Sequence, residues 1–216
     1  GLDVYWSIYD SDRMVHIADA PNHHYDLGQR TIGIYGQETL AIRPDTDLSF
    51  GGRLTNLNVT ARDRLDERAP GGAGGVQGVP FDDNSWDYAL HLGAEHRLSK
   101  VLAVFGRVGR SIRLPNVDER VGNTPFGVPP TFALKTQTSR DMEGGVRINF
   151  DGLELQSSAY MMHLENEVHF SPATFTNINL NPTRRYGFEN AASYRVVEDV
   201  TLRSALTYTN AQFRGG

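Results

Sequence analysis

The residues able to bind metal or move protons sit mostly in polar stretches. His23 and His24 are adjacent, with Asp26 close behind and Asp10 and Asp12 upstream. Imidazole and carboxylate are metal-ligand types, but neighbouring ligands in a polar stretch usually just face water. No metal site is assigned from them. Asp87 and His91 share strand parity. Four residues along a strand is ~13 Å, too far for a catalytic hydrogen bond. Ser158 and His163 have opposite parity unless a bulge intervenes. No catalytic residue is assigned either. A more regular chemistry comes from charges at alternate positions of long segments. Arg53, Glu95, Arg97, Arg107, Glu143, Arg147 and Glu189 each fall on the polar parity of an alternating run. Such residues wet one wall of a sheet and pair across strands.

The elements that must position these charges are long strands. Residues 137–150 (QTSRDMEGGVRINF) and 153–168 are joined by Asp151-Gly152. Asp-Gly is a strong hairpin signal, because both residues tolerate the positive φ of a type I′ turn. In the first run Met142, Gly144, Val146, Ile148 and Phe150 share one face, and Asp141, Glu143, Gly145, Arg147 and Asn149 the other. A run of about 14 residues far exceeds the ~5–6 usual in soluble sheets. At ~3.3 Å per residue and ~45° tilt it crosses a ~25–30 Å apolar layer. The second run is less tidy. Leu153 and Leu155 have one parity, Tyr160, Met162 and Leu164 the other. Either a bulge lies near Ser157–Ala159 or one face is misassigned. Glu38 shares parity with Ile32, Ile34, Leu40 and Ile42 and has no obvious place.

Further strands are expected at 2–9, 30–42, 48–61, 85–98, 101–113, 184–196 and 200–213, nine in all. Short turns fall at 43–47, 99–100, 151–152 and 197–199, and long loops at 10–29, 62–84, 114–136 and 169–183. They alternate strictly. Outer-membrane barrels have short periplasmic turns and long extracellular loops, whereas a soluble sandwich, the commoner home of alternating strands, has no reason for that asymmetry. Trp86, Phe150, Tyr194 and Tyr208 near strand ends fit interfacial aromatic girdles. The 216 residues include 22 Gly, 10 Pro and no Cys, with net charge −5, which gives no reason to expect nucleic acid as partner. No apolar run reaches the ~18 residues of a membrane helix. The odd strand number and both chain ends read as a segment of a longer protein.

Several stretches resemble the barrel of TonB-dependent outer-membrane receptors. Phe105-Gly106-Arg107-Val108-Gly109-Arg110-Ser111-Ile112-Arg113-Leu114-Pro115 resembles the family's strand ending in (Phe)-Arg-x-Pro. Leu134-Lys135-Thr136-Gln137-Thr138-Ser139 resembles Leu-Lys-Pro-Glu-Thr-Ser, and Glu143-x-Gly145-x-Arg147 resembles Glu-x-Gly-x-Arg. Arg185-Tyr186-Gly187-Phe188-Glu189 resembles the Gly-x-Glu strand, and Leu206-Thr207-Tyr208-Thr209-Asn210-Ala211 the Tyr-Thr-Tyr-Thr-Asp-Ala strand. Each motif is loose; their order makes the set specific. Thr136, Gln137 and Ile112 depart from the family's Pro, Glu and Phe.

The resemblance implies an all-β fold, an antiparallel up-and-down transmembrane β-barrel segment of about nine strands out of the ~22 of such barrels. Residues 1–216 would be part of the barrel domain, with the plug domain and C-terminal strands absent. It implies a bacterial cell outer membrane receptor that takes up a scarce bulky ligand, most often a ferric siderophore, with no cofactor. Its partners would be the TonB complex, reached through the missing plug, and outer-membrane lipid and lipopolysaccharide. A general diffusion porin is the alternative, and a barrel-type hydrolase a more distant one. The charged residues named above would line the lumen. Ligand contacts are expected from Arg113, Phe126, Phe175, Asn177, Asn179, Arg184 and Arg185 in or beside loops 114–136 and 169–183. Arg110, of outward parity near the rim, would snorkel to headgroup phosphates.

Overall fold

The computed structural model describes residues 1–14, 16–66, 80–121 and 132–214. Nine strands form one antiparallel sheet: β1 (Leu2–Arg13), β2 (His23–Arg43), β3 (Thr46–Asp63), β4 (Phe81–Arg97), β5 (Leu102–Arg113), β6 (Gln137–Phe150), β7 (Leu153–Glu165), β10 (Thr183–Val197) and β11 (Val200–Phe213). Their order in the sheet is their order in the chain. The connection between β5 and β6 carries a one-turn helix, α1 (Val117–Val121). The connection between β7 and β10 carries a separate hairpin, β8 (Val168–Ser171) and β9 (Thr176–Asn179), where the sequence suggested only loop.

The strands extend further on the long-connection side than their polarity suggested. β2 is 21 residues long and begins at His23, and β1 runs on to Arg13, so most of the expected loop 10–29 is paired strand. Polar residues there alternate too, but with no lipid to meet, period two carries no hydropathy signal. At the other end the turns are tight. Asp151 and Gly152 both have positive φ, 44° and 79°, as a type I′ turn requires. A β-branched residue is strained in that region, so Gly152→Val should lower barrel stability by roughly 1–2 kcal/mol. The check is denaturant unfolding of the full-length protein in detergent or lipid.

The register assigns every residue to a face, because direct cross-strand partners share one. No bulge interrupts β7. It pairs without a shift from Thr138↔Glu165 to Phe150↔Leu153, and likewise with β10. Of the two explanations, the face assignment was at fault: Tyr160, Met162 and Leu164 belong to the polar face. Tyr160 lies across from Gly187 and bonds Thr209 Oγ1 through its hydroxyl at 2.6 Å. A Cβ on Gly187 would collide with the Tyr208 carbonyl oxygen and fall 3.0 Å from that hydroxyl oxygen, so the glycine leaves room for both. Leu164 on the same face is buried. The register shifts that do occur, at 41/43 and 195/197, sit beside short turns. Glu38 lies on the apolar face, opposite Phe50, with unbroken pairing around it.

The apolar face carries Ile32, Ile34, Phe50, Leu54, Leu90, Leu92, Val108, Met142, Val146, Ile148, Leu202 and Leu206 in a continuous band. Many of these are exposed in this chain, including Leu92 at 49 % and Leu202 at 62 %. Unpaired apolar area this continuous, on a sheet whose other face is charged, is the outer wall of a transmembrane barrel.

Candidate functional site

The polar face is stitched by charge pairs between strands. Arg53 grips Asp3 with two bonds of 2.7 Å, its guanidinium lying across Gly33 of the intervening strand. Arg97 holds Asp47 at 2.7 Å, and Arg107 holds its direct partner Glu143 at 2.7 Å. Arg147 reaches over β5 to Glu95, its guanidinium 4.6 Å from the Phe105 ring centre. Phe105 in turn lies against Gly145, where a Cβ would be 2.8 Å from the ring. Glu189 sits opposite Ser158 and Thr207 on the same face.

Above these pairs the face turns apolar and is covered. Tyr25, Leu27 and Ala61 are buried against Val121 and Phe132, with Tyr9 and Phe81 alongside. The Tyr25 and Phe132 rings meet edge to face at 6.5 Å. By register Tyr25, Leu27, Ala61 and Phe81 all belong to the polar face, so the connection around α1 folds over that side of the sheet. Asn116 and Glu119 cap α1 reciprocally, at 2.8 and 3.0 Å. Arg120, 2 % exposed, donates to the carbonyls of Phe132 and Leu134 at 2.8 and 2.9 Å. Burial pushes its guanidinium below the usual value, against the pull of Asp83 and Glu119. Arg120→Met would leave two buried carbonyls bare, at roughly 1–3 kcal/mol each. We expect faster proteolytic cleavage within 114–136 in folded full-length protein, with the barrel intact. This buried arginine escaped the sequence reading because nothing in its neighbours' spacing marks it.

The expected ligand residues separate. Arg113 pairs with Glu119, and Arg185 with both oxygens of Glu167 at 2.6 and 2.7 Å. Asn177 donates to Glu119 O at 2.9 Å. Asn179 exchanges bonds with the Lys135 backbone and donates to Asn166 O at 2.8 Å. These amides tie the β8–β9 hairpin to the α1 connection. Phe175, at φ 54°, is partly exposed at the hairpin tip and meets Phe170 edge to face. Phe126 lies outside the described residues. Arg184 is directly opposite His163 and Gln212 on the apolar face, away from the other candidates.

The loop histidines also part company, as neighbours in a strand must. His24 takes the outer face with Asp12 at 2.7 Å, while Asp26 pairs with Arg62 and Arg64. His23 is buried with Asp63 and Asp66, their ligand-type atoms all within 4.8 Å. Asp63 Oδ2 accepts from His23 Nδ1 at 2.6 Å, and its Oδ1 accepts the N–H groups of His24, Leu65 and Asp66. These bonds to Asp63 tie the upper ends of β2 and β3 together. Ser158 and His163 are on opposite faces, so they form no dyad.

The sequence from residue 3 to 216 matches the family described as "TonB dependent receptor-like, beta-barrel". This chain belongs to that family. No curated protein matches it. The sheet is similar to part of the copper transporter OprC (TM-score 0.70, 20 % identity, 87 % of this chain, 29 % of that one). It is also similar to the ferric-catecholate import receptor Fiu of K12 E. coli (0.63, 18 %, 100 % and 34 %) and to the ferric yersiniabactin uptake receptor FyuA of Yersinia pestis (0.66, 15 %, 99 % and 33 %). The chain thus spans about a third of each solved receptor. The family is one of bacterial outer-membrane transport receptors.

Proposed function

We propose that the protein containing this segment is a TonB-dependent receptor that imports a ferric siderophore across the outer membrane. The observation that carries this reading is a folded cover over the charged face: α1 and the β8–β9 hairpin interlock above it through Asn177 and Asn179. A general diffusion porin needs an open lumen, whereas a receptor needs a structured rim that captures its ligand. The charged face, from Arg53 to Glu189, lines the lumen and meets water and a plug. Arg113, Phe126, Phe175 and Arg185 contact the ligand, with Asn177 and Asn179 holding the hairpin in place. Arginines offer forked donors to chelate oxygens and aromatic rings give contact area. The bond from Arg185 to Glu167 must then open or extend to the ligand. Fiu and FyuA import iron chelates by their descriptions, and OprC copper.

The test is equilibrium binding of ferric catecholate and ferric phenolate siderophores to the full-length protein, and uptake in cells with and without TonB. Binding below micromolar Kd with TonB-dependent uptake is expected. TonB-independent passage of small solutes would make it a porin, and failure of every iron chelate would point to copper, haem, cobalamin or a sugar.

A further inference from the structure

At the upper end of the charged face three ligand-type side chains converge. His23 opens β2, Asp63 closes β3, and Asp66 follows three residues later. They are 3 %, 0 % and 8 % exposed, unlike the solvated acids common on loops. Their ligand-type atoms all lie within 4.8 Å of one another. His23 Nδ1 is 2.6 Å from Asp63 Oδ2 and 3.9 Å from Asp66 Oδ2. Two carboxylates this close repel unless a proton or a cation stands between them. The centre of three atoms at that spacing is ~2.8 Å or less from each, and zinc bonds of ~2.0–2.2 Å are then within reach of side-chain rotation.

The second observation is the far nitrogen of the imidazole. His23 Nε2 is buried and has no hydrogen-bond partner among the described residues. A buried polar atom without a partner is uncommon and calls for a reason. A neutral imidazole carries one proton, on either nitrogen. A donor fixed at Nε2 would lock that proton onto Nδ1. With none there, the proton is free to sit on Nε2 and leave the Nδ1 lone pair facing the carboxylates. The surroundings hold the other groups in place. Asp63 Oδ1 accepts the N–H groups of His24, Leu65 and Asp66 at 3.0, 3.1 and 3.3 Å, so Oδ2 is the oxygen turned to His23. Outer bonds of this kind orient the ligands of metal sites. Tyr25 stacks on the imidazole at 5.4 Å and fixes its plane.

We infer that His23, Asp63 and Asp66 bind a divalent transition-metal ion of the zinc class, which takes the place of the proton between His23 and Asp63. Imidazole joined to carboxylates suits zinc, whereas calcium and magnesium favour larger all-oxygen sets. Three protein ligands leave a fourth position for water. The two charges of the ion offset those of the carboxylates. Cargo has to be released into the lumen, but this trio is closed off from solvent, so the ion is a resident clamp. It joins the upper ends of β2 and β3 to the segment after β3, beside Tyr25 of the core under the α1 connection. The inference does not depend on which ligand is imported.

The experiment uses full-length protein refolded in micelles, stripped with a chelator and titrated with zinc, calcium or magnesium. Zinc affinity is read by competition with a chromophoric chelator. The variants are His23→Gln and Asp66→Asn, which keep volume and hydrogen-bonding capacity, and His24→Gln as the control on the neighbouring histidine. All are checked for a folded barrel by heat-modifiable electrophoretic mobility. Wild type and His24→Gln should bind zinc alike, and His23→Gln and Asp66→Asn at least tenfold more weakly. Calcium and magnesium should not displace it. Cobalt in place of zinc should give wild type the visible absorption of a tetrahedral site, and His23→Gln should lose it. Zinc should raise the Tm of wild type and leave that of His23→Gln unchanged. Folded wild type that binds no zinc, or His23→Gln that binds it as tightly as wild type, overturns the proposal. So does a preference for calcium over zinc. Loss of zinc in His24→Gln but not in His23→Gln would put the ion on the outer face with Asp12, and overturns it as well.

Discussion

Leu92→Arg in the full-length protein should impair folding into lipid by roughly 2–4 kcal/mol, the cost of an arginine at mid-depth on a barrel's outer face. Leu92 lies between Phe50 and Val108 in the apolar band, midway along β4 between Trp86 and the short turn. Its direct partners, Phe50 and Val108, offer no carboxylate for a charge. Arg97→Leu is the control on the same strand. Arg97 is on the charged face, half-exposed and paired with Asp47 at 2.7 Å. An exposed pair of that kind contributes ~0–1 kcal/mol. In a refolding titration into liposomes the first variant should shift the folding equilibrium by roughly 30- to 900-fold and the second by less than tenfold. Equal effects would mean that the two faces are interchanged.

Deletion of 171–181 should abolish high-affinity binding of the true ligand while the barrel still assembles. The deletion removes Phe175 at the hairpin tip and with it Asn177 and Asn179, whose amides hold the α1 connection and Lys135 in place. It leaves β7 and β10 paired along their whole length, because their register runs from Thr183↔Leu164 to Tyr194↔Leu153. Loss of binding would then reflect both lost contacts and a loosened neighbour. Phe175→Ala separates the two: it removes the ring and keeps both amide bridges. If the ring touches ligand, affinity should fall about tenfold or more by equilibrium titration, as loss of a buried aromatic contact does. Unchanged affinity in the deletion would remove the hairpin from the site.

The sequence alone determined the things that have a period. Strand length, strict alternation of short and long connections, and the Asp151-Gly152 turn fix an up-and-down sheet, because lipid on one side and water on the other impose period two on every spanning strand. Family motifs such as Glu143-x-Gly145-x-Arg147 then identified which barrel it is, and the geometry explains them: Gly145 admits the Phe105 ring on which Arg147 rests. Outside the membrane the period fades. β2 continues to His23 and β3 to Asp63 through residues that read as loop, since a paired strand in water or under a cover needs no apolar face. Tyr160, Met162 and Leu164 broke the hydropathy parity of their strand, and register puts them on the charged face. Only the tertiary structure could show that cover, because it depends on contacts between segments far apart in sequence, such as Arg120 with Phe132 and Asn177 with Glu119. The pairing of Arg110 with Arg140, and of Arg140 and Arg184 with His163, was hidden for the same reason. Arg110 and Arg140 are 30 residues apart and Arg140 and Arg184 are 44 apart, and each alone is an ordinary rim charge. Cross-strand register brings them side by side, and register is decided by pairing, not by any one strand.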